Sequence, residues 1–147
     1  MLKLSLIGGL LIAVTVAIHA LGTTMWVHWL QRRGAGSDGQ WLKRYSLRAL
    51  TGTGLVLVLL HTVQITMWAY AYMLLLPDGE LETLESAVYF SFVTFTTLGY
   101  GDITLSEGWR LLSGIQALNG ILLVGWSTAV LFAVVQKLWQ NMASAAD

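Results

Sequence analysis

Three apolar runs, 4–30, 49–76 and 109–138, each exceed the length of helix needed to cross a bilayer, about 20 residues. None carries Asp, Glu, Lys or Arg near its centre. In lipid the backbone has no water to bond, so an open chain can cross only as helix. The chain is therefore expected to be an all-α membrane protein with three transmembrane helices. Composition agrees: 56% of residues are hydrophobic and 11% charged, where soluble domains carry about a quarter charged. A signal peptide is the competing reading of the first run, since Lys3 precedes it and small residues occur near Ala20. Its hydrophobicity continues through Met25-Trp26-Val27, too far for such a segment.

The connecting segments differ in sign. Segment 31–48 holds Arg32, Arg33, Lys43, Arg44 and Arg48 against Asp38 alone. Its Gly34, Gly36 and Gly39 mark a turn, and Trp41, Leu42 and Tyr45 suit a membrane interface. Segment 77–108 holds Asp78, Glu80, Glu82, Glu85, Asp102 and Glu107 with no Lys or Arg. Short basic loops stay in the cytoplasm. The expected orientation has the N-terminus outside and the C-terminus inside, as a multi-pass protein of a cell membrane, with short loops that suit a bacterial inner membrane. Lys3 is weakly contrary and Lys137 agrees.

A fourth apolar run, 86–98, lies inside the acidic segment. As a helix it would measure roughly 20 Å, short of the ~30 Å hydrocarbon core. A re-entrant segment is tolerated only where it is buried in protein or lines a water-filled cavity. A pore is implied.

The re-entrant run ends in Thr94-Phe95-Thr96-Thr97-Leu98-Gly99-Tyr100-Gly101-Asp102. A column of carbonyls aimed one way needs alternating left- and right-handed backbone, and glycine adopts the left-handed form cheaply, which suits Gly99 and Gly101. The segment closely resembles the filter of tetrameric potassium channels, Thr-x-x-Thr-Val-Gly-Tyr-Gly-Asp, and the resemblance extends over 85–136. It implies a fourfold homotetramer in which the carbonyls of Thr97, Leu98, Gly99 and Tyr100, with Gly101 above them, replace the water of a potassium ion. It implies that the Thr97 hydroxyl closes the inner end and that the Tyr100 side chain packs on the pore helix. Asp102 would sit at the outer mouth, with Thr94 and Thr96 supporting the filter. Tyr89 and Phe90 occupy places often held by two tryptophans, so the Tyr89 hydroxyl would stand in as donor to Asp102. Val93 replaces a glutamate of some relatives, and Leu98 replaces the filter valine.

The last run resembles the inner helix of that family. Gly120 falls near its hinge glycine, and hinge and helix packing both remain open for it. Gly125 is read as a packing position. Asn119 either faces a cavity or bonds another helix, and Ser127 and Thr128 are read as bonding their own helix backbone. His19, His28 and His61 are expected to form structural hydrogen bonds, with proton sensing the lesser reading. They are scattered and lack nearby carboxylates, which makes a poor metal site. His61 and Gln64 share a helix face.

The organisation expected is 1–48, a first transmembrane helix and basic loop; 49–138, a pore domain; and 139–147, a short cytoplasmic tail. The first helix is expected at the lipid-facing periphery, packed on the second. No run repeats arginine as a voltage sensor does, and with so short a tail no nucleotide- or calcium-binding domain is expected. Cysteines are absent, which excludes disulfides and thiolate metal sites. The zero formal net charge argues against nucleic acid. No nucleophile–base pair suggests an enzyme, and no cofactor is expected beyond potassium as the transported ion. The functional expectation is a passive potassium channel. The competing expectations are a weakly selective cation channel and a non-conducting accessory subunit.

Overall fold

The computed structural model describes residues 2–33, 39–77 and 79–144. The expected turn at Gly34 and Gly36, and the side chains of Trp41, Leu42 and Tyr45, lie outside the described residues. Four helices follow in order: α1 (Leu2–Arg33), α2 (Gly39–Leu75), α3 (Leu84–Phe95) and α4 (Arg110–Ser144). Among the described residues there is no strand. Three helices are long and apolar enough to cross a membrane, over Leu2–Arg32, Ser46–Leu75 and Arg110–Gln140.

Helix α2 begins ten residues before the expected start at Ala49, at Gly39. Leu42, Lys43, Arg44, Leu47 and Arg48 all favour helix, so charge marks the edge of the membrane there but not the edge of the helix. Pro77 ends α2, because the residue before a proline avoids the α region. The acidic segment then turns back through Gly79 at φ 94°.

Helix α3 has 12 residues, roughly 18 Å, and cannot span. Its start is fixed by a capping box: Thr83 Oγ1 accepts from the Ser86 N–H at 3.1 Å, and the Thr83 N–H donates to Ser86 Oγ at 3.2 Å. Glu85 in the first turn complements the helix dipole. The apolar run 86–98 continues beyond the helix, which stops at Phe95.

The helices pack through three apolar clusters. Trp68, Tyr72, Phe90, Leu105 and Leu112 join α2, α3 and α4 near the acidic segment. Ile65, Phe95 and Leu123 form a middle layer, with Val16 of α1 against it. Leu30, Ala49 and Leu138 join the other ends of the three long helices.

The position of α1 corrects the expectation. It lies against both α2 and α4, not on α2 alone. A Cβ on Gly8 would stand 2.8 Å from Ile115 of α4, and one on Gly22 would stand 2.6 Å from Leu60 of α2. The Trp26 indole N–H donates to Thr53 Oγ1 at 2.9 Å. Apolar faces against lipid and against helix read alike, so only the glycines hinted at this close approach.

Candidate functional site

The functional candidates gather where α3 gives way to the loop that returns to α4. Thr96 is the last residue in right-handed helical conformation, at φ −78° and ψ −3°. The chain then hooks over the end of α3. The Thr97 N–H donates to the Thr94 carbonyl at 3.0 Å. The Leu98 and Gly99 N–H groups both donate to the Val93 carbonyl, at 3.0 and 3.2 Å. Positive φ recurs at every second residue: 59° at Thr97, 55° at Gly99 and 79° at Gly101. A strand points successive carbonyls to opposite sides. Alternating the hand of the backbone removes that reversal and lets a row of carbonyls share one direction.

Gly99 and Gly101 suit this conformation because of their positive φ and not for want of space, since a Cβ on either would meet nothing within 4 Å. Thr97 was not anticipated as a left-handed position. It is β-branched, so positive φ is a marked outlier, of a kind that costs about 1–3 kcal/mol and gathers at functional sites. The hydrogen bonds at the end of α3 hold it there.

The support of this loop comes from α3 and its neighbours. The Tyr89 hydroxyl donates to Asp102 Oδ2 at 2.6 Å, so the substitute donor is in place. That bond holds the Asp102 carboxyl below its ordinary pKa and pushes the Tyr89 phenol up. Thr96 Oγ1 donates to the Phe92 carbonyl at 2.7 Å. Phe90 is buried, with the Tyr72 ring edge-on at 5.3 Å. Gln116 of α4 ties these parts together by accepting from the Tyr72 hydroxyl at 2.8 Å and donating to the Ser91 carbonyl at 3.3 Å. Its polarity within an apolar helix was the only available signal for it. On the acidic side, hydrogen bonding from the Ser106 side chain, and from its N–H at 3.1 Å, lowers the pKa of Glu80.

Val93, Thr94, Thr97, Gly99, Gly101 and Gly114 line part of a cavity of about 400 Å³ alongside the loop. Leu98 and Tyr100 are 55% and 68% exposed. Within one chain, then, Tyr100 does not have the packing that the resemblance implies.

Several candidates on α4 resolve. A Cβ on Gly120 would collide with the Phe95 carbonyl oxygen and stand 2.7 Å from its carbon, so Gly120 is a packing position beneath α3. A Cβ on Gly125 would meet nothing within 4 Å, so it has no packing partner within the single chain. Asn119 is buried, and its Nδ2 donates to Thr15 Oγ1 of α1 at 2.9 Å, an interhelical bond. Thr128 bonds its own helix at the Val124 carbonyl, 3.0 Å away. Ser127 does not. Its Oγ lies 2.8 Å from His61 Nε2 and 3.3 Å from His19 Nε2. Two of the three histidines therefore meet, with ring centroids 5.3 Å apart, while His28 is exposed elsewhere on α1. Among the described residues no group of three His, Cys, Asp or Glu could hold a metal.

A membrane protein whose re-entrant helix ends in a loop of alternating backbone hand has the architecture of a pore-forming chain. The chain belongs to the ion channel family, whose sequence model matches residues 55–137, from the middle of α2 to late α4. No curated protein and no solved structure matches it.

Proposed function

We propose that this chain is one subunit of a homotetrameric, potassium-selective channel that conducts passively, with Thr97 to Gly101 as one quarter of its filter. The observation that carries the reading is the alternation of positive φ at Thr97, Gly99 and Gly101 directly after a helix too short to span. A potassium ion entering a narrow pore must exchange its water for oxygens of similar energy, and rings of backbone carbonyls supply them. The C-terminal end of α3 carries partial negative charge, which favours a cation beneath the filter. Leu98 contributes a backbone carbonyl, so its larger side chain leaves the ion's ligands unchanged.

One chain contains one such segment, so a closed ring takes four copies. The exposed Leu98, Tyr100, Leu118, Ile121 and Leu122 offer apolar surface to neighbouring copies or lipid. Asp102, Glu80 and the acidic segment lie at the outer mouth in this reading, with the basic segment in the cytoplasm. The chain itself performs no chemistry, and potassium is its cargo.

The test is the reversal potential of the purified protein in a planar bilayer, with potassium on one side and sodium on the other. A reversal near the potassium limit is expected. A reversal near zero with clear current would make the protein a weakly selective cation channel. Silence in the bilayer, together with recovery from native membranes in hetero-oligomers, would make it an accessory subunit.

A further inference from the structure

His19 of α1, His61 and Gln64 of α2 and Ser127 of α4 meet in one place, and the direction of every hydrogen bond among them can be worked out. Gln64 sets it. Its Nε2 lies 3.3 Å from the Thr15 carbonyl, which can only accept, so the amide nitrogen must face that way. The same Nε2 lies 3.2 Å from His19 Nδ1, and Gln64 Oε1 lies 3.3 Å from His61 Nδ1. His19 Nδ1 therefore accepts, which leaves the proton of the neutral ring on Nε2, donated to Ser127 Oγ. His61 Nδ1 must donate to Gln64, so His61 Nε2 accepts from the Ser127 hydroxyl. The bonds run one way round a closed ring: Ser127 to His61, His61 to Gln64, Gln64 to His19, His19 to Ser127. All three long helices contribute.

The ring has room for no further proton. A proton on His19 Nδ1 would face the Gln64 amide N–H₂, which is held by the Thr15 carbonyl. A proton on His61 Nε2 would face the Ser127 hydroxyl, which can turn. Ser127 Oγ would then accept from both imidazoles with its own proton turned out of the ring, and the charged donor would draw it toward His61, at the expense of the longer 3.3 Å bond to α1. His61 is the half-buried member of the pair, while His19 is fully buried.

Among the described residues no counter-ion is near. Residues 4–31 of α1, 49–75 of α2 and 111–136 of α4 contain no Asp, Glu, Lys or Arg. The groups facing the two imidazoles are Gln64 and Ser127, the Trp126 ring of α4 and the Phe95 ring of α3. Helix α3 carries one charged residue, Glu85, ten positions before Phe95, roughly 15 Å away. Within 4–31 of α1 the other histidine, His28, is exposed and nine positions from His19, roughly 13 Å; Lys3, Arg32 and Arg33 lie at the ends of the helix. The two imidazoles, 5.3 Å apart, face only each other as titratable partners.

The ring also touches the proposed filter support. His61 stands edge-on to Phe95 with centroids 5.6 Å apart, and Phe95 is the last residue of α3, seated on Gly120. We propose that the Ser127–His61–Gln64–His19 ring is a proton-sensitive interlock that ties α1 to α2 and α4 behind the end of α3. A proton taken up at His61 breaks the one-way ring, loosens α1 from α4 at the level of Ser127, weakens the seat of Phe95 and lowers conduction. For its effect on conduction the proposal rests on the channel reading above. It gives α1, which lies outside the matched family segment, a regulatory role.

The test uses the full-length protein in lipid bilayers with ¹⁵N-labelled histidine. At neutral pH the ring spacings require opposite tautomers, His19 protonated at Nε2 and His61 at Nδ1. The same tautomer at both sites, or a charged imidazole at neutral pH, would overturn the ring. On acidification the two signals should change together, with hydrogen exchange rising in α1. Potassium flux into vesicles should fall several-fold over the same range. His61→Asn keeps a donor toward Gln64 but cannot take up a proton, so its flux should lose that pH dependence. Ser127→Ala opens the ring while keeping both imidazoles, and should carry low flux already at neutral pH. If His61→Asn keeps the parent's pH profile, the switch is wrong. If the parent carries no flux at any pH, the channel reading fails instead, and the NMR titration still decides: a ring intact at pH 5 overturns the interlock.

Discussion

Thr97 and Gly99 both adopt positive φ, yet for Gly99 the conformation costs little and for Thr97 it is strained. Gly99→Ala should therefore abolish potassium flux while leaving the assembly intact, since an added methyl meets nothing within 4 Å. Flux assays beside size-exclusion profiles check this, and normal flux in the variant would remove Gly99 from the filter. At the outer end, the Tyr89–Asp102 bond has a pH signature. The folded pKa of Asp102 lies below its ordinary 3.8. Its contribution to stability is full above that value and is lost as pH falls through the depressed one. In Tyr89→Phe the carboxyl returns toward its ordinary pKa. Thermal unfolding in detergent from pH 5 to pH 3 should then depend less on pH in the variant than in the parent. Equal slopes would mean the hydrogen bond does not govern Asp102.

Among the helices, the contact that decides most is that of α4 beneath α3. The Phe95 carbonyl occupies the space where a Cβ of Gly120 would stand. Backbone cannot rotate aside as a side chain can, so Gly120→Ala must separate the two helices. Overpacking of this kind typically costs 1–3 kcal/mol. The expected result is a lower unfolding temperature together with reduced flux. Gly125→Ala, which meets no atom within the chain, is its control. If both variants behave alike, α3 is not seated on Gly120. Gln116 works at the same level, since it links α2, α3 and α4 through Tyr72 and Ser91. One polar side chain in an apolar helix showed that some partner must exist, without showing which.

For the whole molecule, the sign of the connecting segments carries the topology. A tag inserted near Gly36 should be protected from impermeant reagents in intact cells and become labelled on lysis. Labelling in intact cells would invert the orientation. Tyr100 is more than two-thirds exposed in the single chain, and in the proposed tetramer a neighbouring copy would cover it.

Length and hydropathy alone determined the three spans and the short fourth run, because lipid forces each apolar stretch into helix and ~30 Å sets how much is needed. Thr94 to Asp102 was picked out by its resemblance to a known filter segment, and glycine's conformational freedom supplied the physical reason for Gly99 and Gly101. The position of α1 was decided only by the tertiary structure, because lipid and neighbouring helices accept the same side chains. The meeting of His19, His61, Gln64 and Ser127 was likewise invisible, because residues up to 108 positions apart come together only when three helices pack in one register. The left-handed Thr97 also belongs to the folded state, where the bonds closing α3 impose a conformation that its side chain disfavours.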